Sequence, residues 1–353
     1  MSDVIFLNVQ DISEAGVFAT VKKAMELGRW DEFIKGPKIF LKINGISDQV
    51  VPGQCTSPWV LEAVIRIVKE QFPEADIAMG DTNLAAAQQF NTAAKLWGFR
   101  DLAEKYGIKL VNLAEDEAIE VEVGGKIFKK LTLPKSLVDA DSILNIPVMK
   151  SHCLTTITCC LKNHWGCVPR FRHQYHVVAD QCIPDINYYF KKTRFNLIDG
   201  TVSMEGNAPR TGISKVCSVI FASNDRVAAD YSVAKYMGFP PENIPHILNA
   251  EAMGIGSTKN INIIGDNPVV NPFKWPEPDN QPIFKYEMMF RKVPVLKQIL
   301  FDTPVFSLLC RIATYYNTNI WYNSEGKEYI RSVMKTEYSK EFGPIYKKHN
   351  IEY

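Results

Sequence analysis

Between residues 4 and 81, three short β-rich runs, VIFLNV, KIFLKIN and DIAMGD, are separated by two stretches that repeat apolar residues every three or four positions, EAGVFATVKKAMELG and WVLEAVIRIVKEQF. Strand, helix, strand at these lengths leaves too little chain for anything but crossover connections. Such connections are right-handed and join parallel strands, so the pattern predicts an α/β fold with a mainly parallel sheet and helices on both faces. Local punctuation agrees. Gly28 stops the first helix, Pro37 admits the second strand, and Ser57 followed by Pro58 reads as an N-cap and first helical position.

The alternation continues through AAAQQFNTAAKLWGF, DLAEKYG and IKLVNL. Residues 118 to 133, AIEVEVGGKIFKKLTL, then alternate apolar and polar around Gly124 and Gly125, which predicts an inserted β-hairpin. LVDADSILNIPVMK returns to helix and strand. YHVVADQCIPDINYYFKK reads as a helix broken near Pro184, FNLIDG and KVCSVIFAS as strands, DRVAADYSVAKYMG and ENIPHILNAEAMG as helices, and NINIIGD as a last strand. Residues 1–270 form the α/β domain on this reading, divided into two lobes by a cleft near 150–176. From 271 to 353, the proline-rich NPFKWPEPDNQP acts as linker to a separate, mostly helical extension, through which the chain is expected to form a homo-oligomer.

Composition removes several function classes. Forty basic and thirty-nine acidic side chains leave a formal charge of +1, so no global field favours nucleic acid or an anionic bilayer. The longest apolar stretch, VPVLKQILFDTPVFSLLC, is interrupted by Lys297, Asp302 and two prolines, so no membrane span is expected. Eight cysteines without a secretory leader fit a reducing compartment, and the expected location is cytoplasmic.

Ligands of open α/β sheets collect beyond the carboxyl ends of parallel strands. Reading past each strand end selects Lys42 and Asn44, Asp81 and Asn83, Lys150 and His152, and Asp199. Residues 149–176, MKSHCLTTITCCLKNHWGCVPRFRHQYH, hang from one such end and hold four of the six histidines and four of the eight cysteines. TTITCCLKN reads as a helix that puts Thr155, Cys159 and Lys162 on one face, ended by Asn163, His164, Trp165 and a C′ Gly166. Arg170, Arg172, His173 and His176 form a basic run just beyond it.

The cysteine and histidine spacing matches no structural zinc motif. Adjacent Cys159 and Cys160 cannot both face one ion from a regular helix, and the cysteines read mainly as small packing residues. A divalent metal held by histidines, from His152, His164, His173 and His176, stays open because such ligands need not be close in sequence. No iron–sulfur motif, P-loop, dinucleotide fingerprint, nucleophile elbow or HExxH run is present.

KIFLKIN, TSPWVLEAVI, AMGDTN, LNIPVMKSHCLTTITCCLKNHWGCVP, LIDGTVSMEGNAPRTG and DRVAADYSVAKYMG resemble successive blocks of the family called domain of unknown function 362, across residues 38 to 258. The most specific block carries Lys150, His152, Thr156, Lys162, Asn163 and Gly166 in the expected arrangement. Many members add a ferredoxin-like cysteine module, which this chain lacks. In layout the family is similar to nickel-pincer lactate racemases, in which lysines and histidines between α/β lobes handle a small hydroxy acid.

The expected function is therefore an enzyme for a small carboxylate or phosphate, isomerase- or lyase-like. Lys150, His152, Lys162 and His164 would be the catalytic Lys/His set, with Lys42, Asn44, Asp81, Asn83, Thr156, Asn163, Arg170, Arg172 and Asp199 binding substrate. The alternatives are a metal-dependent oxidoreductase using the histidine-rich segment, and a non-catalytic ligand-binding or scaffold protein that docks through Tyr315, Tyr316, Trp321 and Tyr322.

Overall fold

The computed structural model describes residues 1–84, 89–168, 170–277 and 293–353. Its strands are β1 (Ser2–Asn8), β2 (Lys38–Lys42), β3 (Asp76–Asp81), β4 (Lys109–Asn112), β5 (Ala118–Glu122), β6 (Lys130–Pro134), β7 (Ser142–Asn145), β8 (Val148–His152), β9 (Thr156–Thr158), β10 (Thr193–Glu205), β11 (Ile213–Ser223) and β12 (Ile261–Gly265). Ten of them form one sheet in the order β12-β1-β11-β10-β7-β2-β3-β4, with β8 on β10 and β9 on β8. β2, β3, β4, β7, β8 and β10 run parallel, and β11 and β9 are the antiparallel additions. The fold is α/β, with β5 and β6 as the expected separate hairpin.

Strand side chains divide between two cores, as a two-sided sheet requires. Ile5, Leu7, Ile39 and Leu41 point to one core with the helices Glu14–Leu27 and Pro58–Gln71. Val4, Phe6 and Phe40 point to the other, with the helices Ala179–Tyr189, Arg226–Tyr236 and Pro245–Ala252. Ser57 caps its helix through Val60 N, with Pro58 at the start. The first two strands are not neighbours, however. β11, β10 and β7 lie between β1 and β2.

Four local expectations change. TTITCCLKN does not open a helix: Thr156–Thr158 turns back as β9 against β8, pairing Lys150 with Thr158 and His152 with Thr156. Three threonines and an isoleucine in a row of four residues favour strand over helix. Only Cys160–Asn163 is helical, continued by a 3-10 turn over His164–Cys167 that contains Gly166. Pro184 lies inside the helix Ala179–Tyr189 without breaking it; as the sixth residue of that helix, it forgoes one backbone N–H hydrogen bond in a buried segment. The helix expected over AAAQQFNTAAKLWGF begins at Phe90, and residues 85–88 lie outside the described residues.

The C-terminal extension is not separate from the domain. Trp321, Ile330, Val333, Tyr338, Phe342 and Tyr346 are buried in the first core. The helix Ser339–His349 is tied down by the Tyr346 hydroxyl, which donates to Val50 O, and by Phe342, edge-on to Trp97. The two pairs of aromatics named from the sequence divide. Trp321 is buried and Tyr322 partly so, while Tyr315 and Tyr316 stand in solvent.

Candidate functional site

β2, β3 and β7 end at one level, because Lys42 is in register with Gly80 and Asn145. β10 is long enough to pair first with β7 and then, from Asp199 to Met204, with β8, which lifts Lys150 beyond the ends of its neighbours. The strand-end rule therefore gathers Lys42, Asp81, Asn145, Lys150 and Asp199 along one edge of the sheet, all buried.

Lys42 Nζ donates to Asp81 Oδ1 at 2.8 Å and to Ile43 O, and the other Asp81 oxygen accepts from Gly45 N. Lys42 is thus neutralised in place. Gly166 lies over this pair, where a Cβ would stand 2.7 Å from Asp81 Oδ1 and 3.2 Å from Lys42 Nζ. That contact, not a helix C′ position, is what requires glycine.

Lys150 Nζ donates to Asn44 Oδ1 at 2.6 Å and to Gln54 O. Burial pulls its pKa down to about 8, against the partial support of Cys55, Asp81 and Asp199, and Lys162 pushes the same way as burial. Asn44 Nδ2 donates to Asn163 Oδ1, and Asn163 Nδ2 donates to Asn145 Oδ1 and to the Lys42 and Ile43 carbonyls, linking β2, β7 and the short helix. Asp199 accepts from Ser57 N, Thr201 N and the Thr201 hydroxyl, yet burial still raises its pKa.

Lys162 is buried too, and burial first, then Arg172, hold its pKa near about 8 against the opposing fields of Cys153 and Asp180. Among the described residues its Nζ has no hydrogen-bond acceptor; it lies 5.9 Å from the centre of the Trp165 ring. His152 accepts from Leu154 N through Nδ1, so its neutral ring carries the proton on Nε2. Burial, Lys162, His176 and His246 keep that ring neutral, its pKa well below the ordinary value. Thr156, opposite His152, has φ 63, a left-handed conformation that is costly for a β-branched residue.

The remaining sequence candidates are placed differently. His164 is fully buried; its Nδ1–H donates to Cys160 O at 3.0 Å, its Nε2 meets the Thr193 hydroxyl at 2.7 Å, and its ring packs on Phe190. With both nitrogens engaged and its pKa pressed well down by burial and Arg226, it acts as a core histidine. Arg172 holds the chain together by donating to Val168 O and Asn83 O. Asn83 Oδ1 accepts from Phe90 N and the Asn112 amide. His173 and His176 stack on each other at 5.2 Å. The Arg170 side chain lies outside the described residues. Among the described residues, no three donor atoms drawn from His152, His164, His173 and His176 come together in metal-binding geometry. Cys159 and Cys160 pack in the second core, as the sequence reading has it, and among the described residues they also form with Asp230 the one convergent set of donor atoms. The objection from helix geometry lapses because Cys159 is extended (φ −155, ψ −138) and precedes the helix.

Sequence reasoning missed Glu341 of the C-terminal helix. Its Oε1 accepts from the Ser57 hydroxyl and from Trp59 N, while Oε2 is buried without a partner. Burial pushes its pKa up to about 8, and Asp199 adds to the effect. No sequence signal relates residue 341 to residue 57. A cavity of about 240 Å³ bordered by Lys38, Asp76 and Lys109 lies at the opposite, amino ends of β2 to β4. Its Lys109–Asp76 pair is exposed, and it reads as a solvated groove.

The sequence profile of the family described as domain of unknown function (DUF362) matches residues 39–235. The chain belongs to the DUF362 family. The matched segment of this DUF362 chain runs from β2 through the helix Arg226–Tyr236 and holds every candidate above except Glu341. A thylakoid-associated protein of Synechocystis sp. is 27% identical over 274 residues, covering 73% of this chain and 81% of that one. Among solved structures, the DUF362 chain is similar to the lactate racemase apoprotein of Thermoanaerobacterium thermosaccharolyticum, with 14% identity, a TM-score of 0.46, and coverage of 67% of this chain and 56% of that one. A protein from Thermotoga maritima is 10% identical with a TM-score of 0.31, over 69% of this chain and 60% of that one. Each solved match thus spans less than two thirds of the other protein. Among the described residues, no helix is long and apolar enough to cross a membrane.

Proposed function

We propose that this protein is an enzyme that moves a proton on a small carboxylate or phosphate at the carboxyl edge of the sheet, as an isomerase or lyase does. The observation that carries this reading is the pair of buried lysines, Lys150 and Lys162, both with pKa values near 8 and the second without an acceptor among the described residues. A buried ammonium is costly unless an anion compensates it. An anionic substrate beside Lys162 supplies that charge. Lys150, poised close to neutrality, then suits proton transfer, and the Nε2–H of His152 donates to a developing oxyanion. Lys42 and Asp81 support the edge rather than bind substrate, since each already satisfies the other.

The test is solvent exchange. Full-length protein in D2O is incubated with a panel of 2-hydroxy and 2-keto carboxylates and phosphate esters, and carbon-bound proton loss is followed by NMR. Exchange on at least one panel member is expected, slowed by about 10²–10⁴-fold in Lys150→Met and Lys162→Met. Unchanged exchange in both variants sinks the assignment.

A second reading has its own observation. No residue of the helix Val305–Tyr315 is buried, although Leu308, Ile312 and Tyr315 are large, apolar and exposed. Such a face fits self-association through the extension.

A further inference from the structure

Behind the lysine edge, the Cys159 Sγ, Cys160 Sγ and a carboxylate oxygen of Asp230 lie within 4.8 Å of one another, all buried. The two sulfurs are 3.9 Å apart. A disulfide needs about 2.05 Å, whereas two thiolates on one tetrahedral zinc, each about 2.3 Å from the metal, stand about 3.8 Å apart. The separation is that of an edge of a metal tetrahedron.

The carboxylate is already oriented. Asp230 Oδ1 accepts from Cys160 N at 2.8 Å and Oδ2 from Leu161 N at 3.0 Å, and the Cys159 and Cys160 thiols donate to the same carboxylate, so both sulfurs already face it. His246, on a helix packed against that of Asp230, lies outside the convergent set. It is fully buried, and neither ring nitrogen has a hydrogen-bond partner; Asp180 Oδ1, the acid paired with it, is 3.6 Å from Nδ1. A charge on His246 is felt at Asp230.

We propose that Cys159, Cys160 and Asp230 hold a divalent ion of the zinc class. Two thiolates and a carboxylate form a borderline-soft set suited to zinc, which takes one further donor to complete its tetrahedron. Binding displaces the two thiol protons to solvent, so affinity falls with acid. The ion would pin β9 and the short helix that carries Lys162 to the helix Arg226–Tyr236. The site is independent of the substrate proposed above.

Full-length protein expressed in zinc-supplemented medium and purified anaerobically with reductant is expected to retain near-stoichiometric zinc. After chelator treatment, Co²⁺ should give thiolate-to-cobalt charge-transfer absorption that Zn²⁺ abolishes. Cys159→Ser and Cys160→Ser should each weaken binding by more than about 100-fold, beyond the range for losing an outer partner, while Cys217→Ser, at a half-buried position away from the set, leaves it unchanged. Wild-type protein that is folded by circular dichroism but shows neither retained zinc nor the cobalt band overturns the proposal. So does a cobalt band that survives in both cysteine variants.

Discussion

Replacing Lys150 by methionine keeps the unbranched stem of the side chain and removes its charged end, and the consequence for stability depends on pH in a calculable way. The folded chain lowers the Lys150 pKa from the ordinary 10.5 to about 8, with burial as the main cause. Below pH 8 both states hold the proton, and the lysine contributes no slope. Between 8 and 10.5 the unfolded chain binds a proton that the folded chain has released, so stability rises with pH and the gain is complete above 10.5. At about 1.4 kcal/mol per pKa unit, the total is roughly 3 kcal/mol. Methionine also leaves Asn44 Oδ1 and Gln54 O without their donor, a loss of about 1–3 kcal/mol for each unsatisfied group. That penalty moves the variant at every pH and does not alter the slope. Urea denaturation of wild type and Lys150→Met, near pH 7 and near pH 10, gives the difference with other titrations cancelled. The wild type should gain about 2.5 kcal/mol on the variant between the two conditions, the rest of the gain coming above pH 10. A difference that is flat or falls with pH refutes the burial of a charged lysine at this edge, and with it the basis for its role in proton transfer.

Glu341 shows the opposite sign. Its folded pKa is raised from 4.5 to about 8, so the stability of its protonated form is fully present below 4.5 and is lost as pH rises through 8. Glu341→Gln should match wild type in thermal denaturation near pH 5 and exceed it near pH 9; equal melting at both would show that the carboxyl is not buried against Ser57. If the extension mediates self-association, Leu308→Glu with Ile312→Glu should halve the mass seen by light scattering without changing the melting temperature. A mass identical in wild type and variant removes that reading.

The strand-end residues are legible because two rules act locally. Apolar runs such as KIFLKI, and DIAM with Ile77 and Met79, define strands, and parallel strands bring the residues just past their carboxyl ends to one edge. That reasoning reaches Lys42, Asp81, Lys150 and Asp199 without any contact information, and the family blocks point to the same segment. It fails at TTITCCLKN, where β-branched residues and the partner strand β8 outweigh a helical reading. His164 escapes it for another reason: titratable chemistry says nothing about burial, and only packing on Phe190 with bonds to Cys160 and Thr193 makes it a core residue.

Periodicity and punctuation along the chain thus determined the α/β class, the hairpin at β5 and β6, and the edge where charged residues collect. These depend on neighbours within a few positions. The tertiary structure alone decided that Lys42 is neutralised while Lys162 is not, that Glu341 reaches Ser57 across 284 positions, and that two adjacent cysteines face one aspartate from another helix. Each of those outcomes depends on which groups lose water together, and the distance along the chain does not encode that.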